Sequence, residues 1–209
     1  MSNRSAVETI REWCEFGEYR AYILMAIARS THNNELSSNS EISYRKVIHD
    51  EDDIERAYAD LLALAGRHDY LFRIYLSANA RNTLDAYFNF REEMDSWIRD
   101  LVYGDVHAAE KLARIDSYWK SALHRPDARD DRYFLFDLDD ISDLERDEFL
   151  AKLPTDVHVT ITTPNGYHVI TDPFNYTDWD PPVEYDDLDT DGQLFIDEIA
   201  GRVDTEYQQ

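Results

Sequence analysis

The sequence predicts an α+β fold in which a mostly antiparallel sheet carries flanking helices. Apolar residues recur at helical spacing through most of the chain before residue 124, whereas the final third consists of short β-branched and aromatic runs bounded by turn signals. Within that final third, the Asn165-Gly166 pair is a strong signal for a hairpin between two neighbouring strands.

The N-terminal segment is predicted to be mainly helical. Residues 5–29 place apolar side chains at helical spacing, so one helix is expected there, with an interruption near Gly17 as the alternative. A polar loop over 30–41 and a short strand over 42–48 follow. Residues 50–68 then have the acidic start, the apolar face and the closing glycine of a second helix.

These patterns divide the chain into three regions. Residues 1–66 are expected to form an N-terminal helical segment that packs on an α+β core of residues 67–200. Residues 201–209 are expected to be a tail. The core holds every residue to which the sequence assigns chemistry.

A strand over residues 70–81 sorts its side chains onto two faces. The apolar face carries Phe72, Ile74, Leu76 and Ala78, and the polar face carries Arg73, Tyr75, Ser77 and Asn79. Such polar side chains can donate hydrogen bonds to phosphate and sugar hydroxyl groups. The alternative is an edge strand whose polar face is solvated.

Helices and strands alternate in the rest of the core. The expected order is helices over 81–103 and 107–124, a strand over 132–138, a helix over 142–152, strands over 157–163 and 167–171, an acidic loop over 172–191 and a last strand over 193–197. No internal repeat is present.

The composition is that of a strongly acidic protein. The chain has 44 Asp and Glu residues against 21 Lys and Arg, only four of them lysines, and its formal net charge is −23. Such a surface disfavours non-specific attraction to nucleic acid or phospholipid at ordinary salt. In molar salt the Debye length falls to about 3 Å, which screens the repulsion while the acidic surface keeps the protein hydrated. We therefore expect a halophilic host, a haloarchaeon or its virus.

Other features exclude several classes of protein. No segment approaches the roughly 18 apolar residues that span a bilayer, and residues 1–13 lack the apolar core of a signal peptide. The single cysteine, Cys14, excludes an internal disulfide and a cysteine-based zinc site. Walker A, Gly-x-Ser-x-Gly and ligase-type Lys-x-Asp-Gly patterns are absent. A soluble cytoplasmic protein with no membrane partner is expected.

The stretch FLFDLD, residues 134–139, reads as a buried strand that ends in an Asp-x-Asp pair. Asp137 and Asp139 project from the same face, about 6–7 Å apart along the strand. Neighbouring carboxylates repel, and a hard divalent cation such as Mg²⁺ or Mn²⁺ removes that conflict. The alternative is that Asp139 and Asp140 belong to the cap of a helix that begins near Ser142.

A second stretch, TTPNGYHVI at residues 162–170, contains the hairpin turn between a β-branched run and an apolar strand. His168 lies on the strand that follows the turn. Gly166, two residues earlier, is expected to let a ligand approach the backbone. A purely structural histidine is the alternative.

Together these stretches resemble the catalytic core of the archaeo-eukaryotic primase superfamily, in particular the primase-polymerase domains of plasmids and viruses. FLFDLD is similar to the first motif of the family, and TPNGYHVI resembles the second, Thr-Pro-Ser-Gly-Gly-x-His, with one glycine fewer. By this resemblance the third motif would be DTDGQLFID, residues 189–197, with Asp191 or Asp197 as the remaining carboxylate. The similarity extends over about residues 70–198. The whole chain also resembles a group of conserved phage proteins.

The resemblance implies an RRM-like core in the C-terminal two-thirds of the chain and a site for a nucleoside triphosphate with divalent ions, Mg²⁺ or Mn²⁺. The implied metal ligands are Asp137, Asp139 and either Asp191 or Asp197. Catalytic roles are implied for Asp137, Asp139 and His168. The implied nucleotide-binding residues are Arg73, Arg81, Asn165, Gly166 and His168.

We therefore expect a metal-dependent nucleotidyltransferase of primase-polymerase type, or a degenerate relative, that acts in viral DNA replication. Its reaction would be attack of a 3′-hydroxyl on the α-phosphate of a nucleoside triphosphate. A metal-dependent nuclease that uses the same residues is a neighbouring hypothesis. From a different class, the alternative is a non-catalytic viral accessory protein that binds nucleotide, nucleic acid or a host protein. Expected partners are a nucleoside triphosphate, nucleic acid and a host or viral replication protein.

Overall fold

The strands of this protein form two antiparallel sheets, and helices flank them. The structure is a computed structural model that describes residues 5–185 and 187–200. The strands are β1 (Arg20–Arg29), β2 (Glu41–Ile48), β3 (Phe72–Ser77), β4 (Arg81–Asn82), β5 (Phe134–Asp139), β6 (Val157–Thr162), β7 (Gly166–Thr171), β8 (Asp187–Asp189) and β9 (Gln193–Ile199). The helices are α1 (Ala6–Trp13), α2 (Asp53–Ala65), α3 (Thr83–Val102), α4 (Val106–Ala113), α5 (Ile115–Leu123) and α6 (Asp143–Lys152). The predicted α+β class with antiparallel strands is confirmed.

The larger sheet has the strand order β2-β1-β3-β9, and the two-residue β4 pairs with the start of β1. Its central strand, β1, is covered on both faces. Leu24 and Ala26 pack in one apolar cluster with Leu61 of α2, while Ile23 and Met25 pack in another with Leu123 of α5. This sheet therefore has helices above and below it and holds most of the core.

The prediction of one helix over residues 5–29 is wrong, because only Ala6–Trp13 is helical and Arg20–Arg29 is strand β1. A strand that is buried on both faces carries a continuous apolar run, which periodicity alone cannot distinguish from a buried helix. Because β1 pairs with β2 on one side and β3 on the other, residues 20–48 form the middle and one edge of the larger sheet. The segment 1–66 is therefore not simply helical.

The smaller sheet has the strand order β6-β7-β5-β8. One of its faces packs Phe136 of β5 against Phe149 of α6, together with the rings of Trp179 and Tyr185. The other face carries Leu135 and Ile170, which contact Leu194 of β9. The two sheets therefore meet along β9, and this junction positions the candidate site.

The remaining differences from the predicted elements are local. The predicted helix over 107–124 divides into α4 and α5 at Arg114, and the predicted acidic loop over 172–191 contains the short strand β8. Helix α6 has Ser142 as its N-cap, in a capping box with Glu145, so neither Asp139 nor Asp140 caps it. None of the helices in the described part of the chain is long and apolar enough to cross a membrane.

Candidate functional site

Asp137 and His168 lie directly opposite each other on neighbouring strands. They are paired residues in the antiparallel register of β5 and β7, and the Nε2 atom of His168 is 3.6 Å from Oδ1 of Asp137. Because paired residues of two strands project to the same face of a sheet, both side chains face the junction of the two sheets. The structure thus brings together the two predicted motifs that carry the resemblance.

A third side chain, which the sequence analysis did not identify, extends this row. Asp187 of β8 pairs with Asp137 on the side away from β7, and Asp189 pairs with Leu135. Asp187, Asp137 and His168 therefore occupy one cross-strand row on three adjacent strands. The signal was present in the sequence, since residues 187–189 repeat the Asp-Leu-Asp pattern of 137–139. The sequence predicts an acidic loop there, because a three-residue strand has too little periodicity to be recognised.

This row forms one wall of a cleft of about 240 Å³ between the two sheets. The other wall comes from the larger sheet, where Arg29 of β1 places its guanidinium 5.9 Å from the centre of the Tyr75 ring. The residues that line the cleft are Arg29, Tyr75, Leu135, Asp137, His168, Asp187, Asp189 and Gln193. The cleft thus combines carboxylates, a cation, an imidazole and an aromatic ring.

His168 is held in one tautomer by the main chain. The backbone N–H of Phe195 in β9 donates a buried hydrogen bond of 3.1 Å to Nδ1 of His168. Burial and the nearby Arg73 guanidinium lower the pKa of His168 to about 4. At neutral pH the ring is therefore uncharged, with its proton on Nε2. In that tautomer Nε2 donates a hydrogen bond toward the cleft and has no lone pair with which to bind a metal.

Arg73 lies on β3 of the larger sheet, on the same face as Tyr75. Its Nε donates to Glu198 at 3.1 Å, so it is already paired within the sheet. Partial burial and Arg73 lower the pKa of His32, and Glu198 and Asp139 oppose that shift. Arg73 and Asp139, both predicted site residues, therefore lie near enough to His32 to influence its pKa, but neither is among the residues that line the cleft.

Arg81 and Asp191 form a pair with each other. The Arg81 side chain is fully buried, and its two terminal nitrogens contact the two carboxylate oxygens of Asp191 at 2.9 and 2.8 Å. Neither residue lines the cleft that contains Asp137 and His168. The structure thus gives this carboxylate a structural partner, because a fully buried guanidinium needs a counter-ion.

Asp197 lies on the other face of the larger sheet. Its carboxylate accepts a hydrogen bond from the hydroxyl of Tyr58 on α2, and Tyr58 packs in the cluster beneath that helix. The cleft lies on the opposite face, with Tyr75. The structure therefore brings neither of the two predicted third carboxylates to the Asp137–His168 row, where Asp187 lies instead.

Gly166 and Asn165 build the turn that leads into β7. A Cβ atom on Gly166 would lie 1.9 Å from the carbonyl oxygen of Leu138, so the glycine is needed for the close approach of β5. The carbonyl oxygen of Asn165 accepts a hydrogen bond of 2.9 Å from the backbone N–H of Asp140. The expectation that Gly166 makes room for a ligand is therefore wrong, because the backbone of β5 occupies that space.

The polar face of β3 is largely used inside the protein. The Ser77 hydroxyl accepts a hydrogen bond from the backbone N–H of Ile23, and the Asn79 side chain bonds the main chain of Tyr133 and Thr190. Both residues are buried. Of the four polar side chains on this face, Tyr75 lines the cleft, and Arg73 lies near enough to help lower the pKa of His168.

The donor chemistry of the cleft suits a hard divalent cation, because Asp137, Asp187 and Asp189 supply carboxylate oxygens. Within residues 5–185 and 187–200, however, no three acidic, imidazole or thiol groups are close enough to hold one ion between them. Mg²⁺ is commonly bound through one or two carboxylates, with substrate phosphates and water completing its coordination. The residues present therefore fit an ion that arrives with a phosphate substrate better than one caged by the protein alone.

Comparison with known proteins identifies no relative of this chain. Searches against protein-family models, curated proteins and solved structures find no match.

Proposed function

We propose that this protein is a metal-dependent nucleotidyltransferase of primase-polymerase type, or a degenerate relative, that acts in viral DNA replication in a halophilic host. The observation that carries the proposal is the row of Asp187, Asp137 and His168 on three adjacent strands, facing a cleft that Arg29 also lines. Two carboxylates, a neutral imidazole donor and a guanidinium are a suitable set for a triphosphate and its metal ion.

The topology of the smaller sheet supports an RRM-like core. In chain order it consists of β5, α6, β6, β7 and β8, and β7 lies between β5 and β6. This is the split βαβ arrangement, and β8 is added on the far side of β5. The segment between β7 and β8, where an RRM-like unit has its second helix, contains a short 3₁₀ turn at Tyr176–Asp178. Asp137 and His168 lie on the two central strands, β5 and β7, of this unit.

In this proposal Asp137 and Asp187 would hold Mg²⁺ or Mn²⁺, which when bound would stabilise negative charge on the attacking and leaving oxygens. His168 would donate its Nε2–H to a phosphate oxygen. Arg29 in the cleft, with Arg73 near His168, would offset the charge of the triphosphate. The 3′-hydroxyl of a primer would attack the α-phosphorus, the bond to the β-phosphate oxygen would break, and pyrophosphate would leave while the hydroxyl proton passes to solvent.

A non-catalytic accessory protein that binds nucleotide is the second candidate. It is favoured by the absence of a group of three metal-binding side chains within the described part of the chain. On this alternative the cleft would still take a nucleotide, with His168 and Arg29 on its phosphates, but no bond would be made or broken.

The experiment is titration of the protein with Mn²⁺ and a nucleoside triphosphate in molar salt, followed by primer extension under the same conditions. Asp137→Asn should abolish extension and weaken Mn²⁺-dependent nucleotide binding at least tenfold. Asp100→Asn, which changes an exposed aspartate on α3, is the matched control. Mn²⁺-dependent binding without extension would support the accessory protein. Equal nucleotide binding by the native protein and both variants would exclude the cleft as the site.

A further inference from the structure

A second cleft lies at the outer edge of the larger sheet, where β2 passes between α5 and α2. It has a volume of about 330 Å³. We call it the basic groove, and it is lined by Ser43, Tyr44, Arg45, Lys46, Leu64, Asp116, Ser117 and Lys120.

The charge of the basic groove differs from that of the chain. Arg45, Lys46 and Lys120 are three cations in one groove, and two of them belong to the four lysines of a protein whose net charge is −23. Two carboxylates oppose them, since Lys46 contacts Asp60 at 2.5 Å and Lys120 contacts Asp116 at 3.3 Å. This local excess of cations departs from the negative charge of the rest of the protein, and an anionic ligand would explain it.

Arg45 supplies an independent observation. Its Nη1 donates a long hydrogen bond of 3.4 Å to the Ser121 hydroxyl, and within the described residues it forms no ion pair. Its Nε is buried and has no hydrogen-bond partner there. A buried guanidinium N–H without an acceptor is costly, so an oxygen ligand at this position would stabilise the groove.

The free edge of β2 adds neutral donors to these charges. β2 is the outermost strand on this side of the sheet, and no described strand pairs with its outer edge. In an edge strand every second backbone N–H points outward, and the hydroxyls of Ser43 and Ser117 line the same groove. Backbone N–H, hydroxyl and basic side chains are the groups that contact nucleic-acid phosphates.

The basic groove lies a short distance from the candidate site across the larger sheet. Arg45 pairs with Met25, and Met25 pairs with Tyr75, so one cross-strand row leads from the groove to the cleft. Two strand spacings separate Arg45 from Tyr75, or roughly 10 Å. Met25 is buried against Leu123 of α5, so a polymer strand that contacts both surfaces has only this short distance to span but passes outside that cluster.

We propose that the basic groove binds a phosphate of the nucleic-acid strand that the cleft would extend. This inference rests on the proposed function, and it assigns Arg45, Lys46 and Lys120 to the phosphate. It supplies the nucleic-acid contact that the acidic composition of the chain otherwise disfavours.

The test is binding of a fluorescent single-stranded oligonucleotide to the native protein and to Lys120→Gln over a series of salt concentrations. Loss of one phosphate contact should make the negative slope of log K against log salt shallower by about 0.7 and weaken binding severalfold. Lys152→Gln is the matched control, because Lys152 also pairs with an acid four residues before it, Glu148, and lies outside the groove. Lys46→Gln should behave like Lys120→Gln.

Mn²⁺-dependent nucleotide binding, measured on the same variants, separates this inference from the proposed function. We expect it to be unchanged in Lys120→Gln. If the oligonucleotide does not bind the native protein, or binds Lys120→Gln and Lys152→Gln equally, the groove has no such role even where the cleft binds nucleotide. If a glutamate-rich peptide binds there and the oligonucleotide does not, the occupant is a peptide strand on the edge of β2 and the inference is wrong. If oligonucleotide binding depends on Lys120 but no nucleotide binds the cleft, the basic groove is a nucleic-acid site and the proposed function is wrong.

Discussion

The backbone N–H of Phe195 donates a hydrogen bond to Nδ1 of His168, and this 3.1 Å bond joins the two sheets at the candidate site. It fixes the proton of the neutral ring on Nε2, which faces Asp137. A contact between a strand of one sheet and a side chain of the other therefore decides what His168 can do. It makes the residue a hydrogen-bond donor to an anion and disfavours a role as metal ligand.

The first prediction concerns the pH dependence of stability. The pKa of His168 is lowered to about 4, from the ordinary value near 6.5 that it regains on unfolding. Between these values the unfolded chain binds a proton that the native chain does not, so the free energy of unfolding falls as pH falls from about 6.5 toward 4. At pH 5 this amounts to about 2 kcal/mol. Burial lowers the pKa of His124 to about 4 as well, so it adds a change of the same sign.

Urea unfolding in molar salt at pH 7 and pH 5 measures this effect. His168→Asn retains an acceptor for the Phe195 N–H but cannot titrate. The free energy of unfolding of this variant should therefore fall by about 2 kcal/mol less than that of the native protein over this interval. The other acidic and imidazole groups titrate in both proteins and cancel in the comparison. An identical fall in the native protein and the variant would contradict the assignment.

The second prediction concerns the close approach of β5 and β7. In Gly166→Ala the added methyl would meet the Leu138 carbonyl oxygen, which is backbone and cannot move aside without separating the strands. We expect a loss of about 3 kcal/mol or more in the free energy of unfolding, and a loss of nucleotide binding because Asp137 and His168 are separated.

Gly17→Ala is the control for this substitution. Its added methyl would meet only the flexible side chain of Arg20, with Cδ at 3.3 Å and Cγ at 3.9 Å. We expect a change within about 1 kcal/mol, measured by the same unfolding experiment. Equal effects of the two substitutions would show that the contact with Leu138 is relieved by a small shift of the chain.

The third prediction separates a structural carboxylate from a candidate ligand. Asp191→Asn leaves the fully buried Arg81 guanidinium without its counter-ion, so it should destabilise the protein by about 3–5 kcal/mol. Asp187 is exposed, so Asp187→Asn should change stability by no more than about 0.5 kcal/mol but should weaken Mn²⁺-dependent nucleotide binding. Unfolding curves and Mn²⁺ titration of both variants test this contrast. Retention of full Mn²⁺ dependence in Asp187→Asn would remove Asp187 from the site.

The fourth prediction concerns the single cysteine. Burial raises the pKa of the Cys14 thiol well above its usual range, although Arg20 opposes this shift. Because the thiolate is the reactive form, the folded protein should react with an alkylating reagent far more slowly than the protein unfolded in denaturant. Mass spectrometry over a time course measures the ratio. Rapid labelling under native conditions would show that the N-terminal segment opens locally.

Part of this fold follows from local sequence patterns. The helix α2, the strand β3 with Arg73 and Tyr75 on one face, and the hairpin of β6 and β7 were predicted, because each depends on residues close together in the chain. β1 was missed because a strand covered on both faces has no alternating pattern. Its eight consecutive buried residues reflect neighbours from distant parts of the chain.

The candidate site shows the same division. Sequence by itself predicted Asp137, Asp139 and His168 as site residues, since an Asp-x-Asp strand end and a Gly-Tyr-His strand are local patterns, and the structure places Asp137 and His168 in one cleft. Only the tertiary structure decided which carboxylate joins them. Asp187 lies beside Asp137, whereas Asp191 is held by Arg81 and Asp197 by Tyr58. Partners so far apart in the chain are chosen by which strands become neighbours and which face each strand buries, and these are set by the packing of the whole protein.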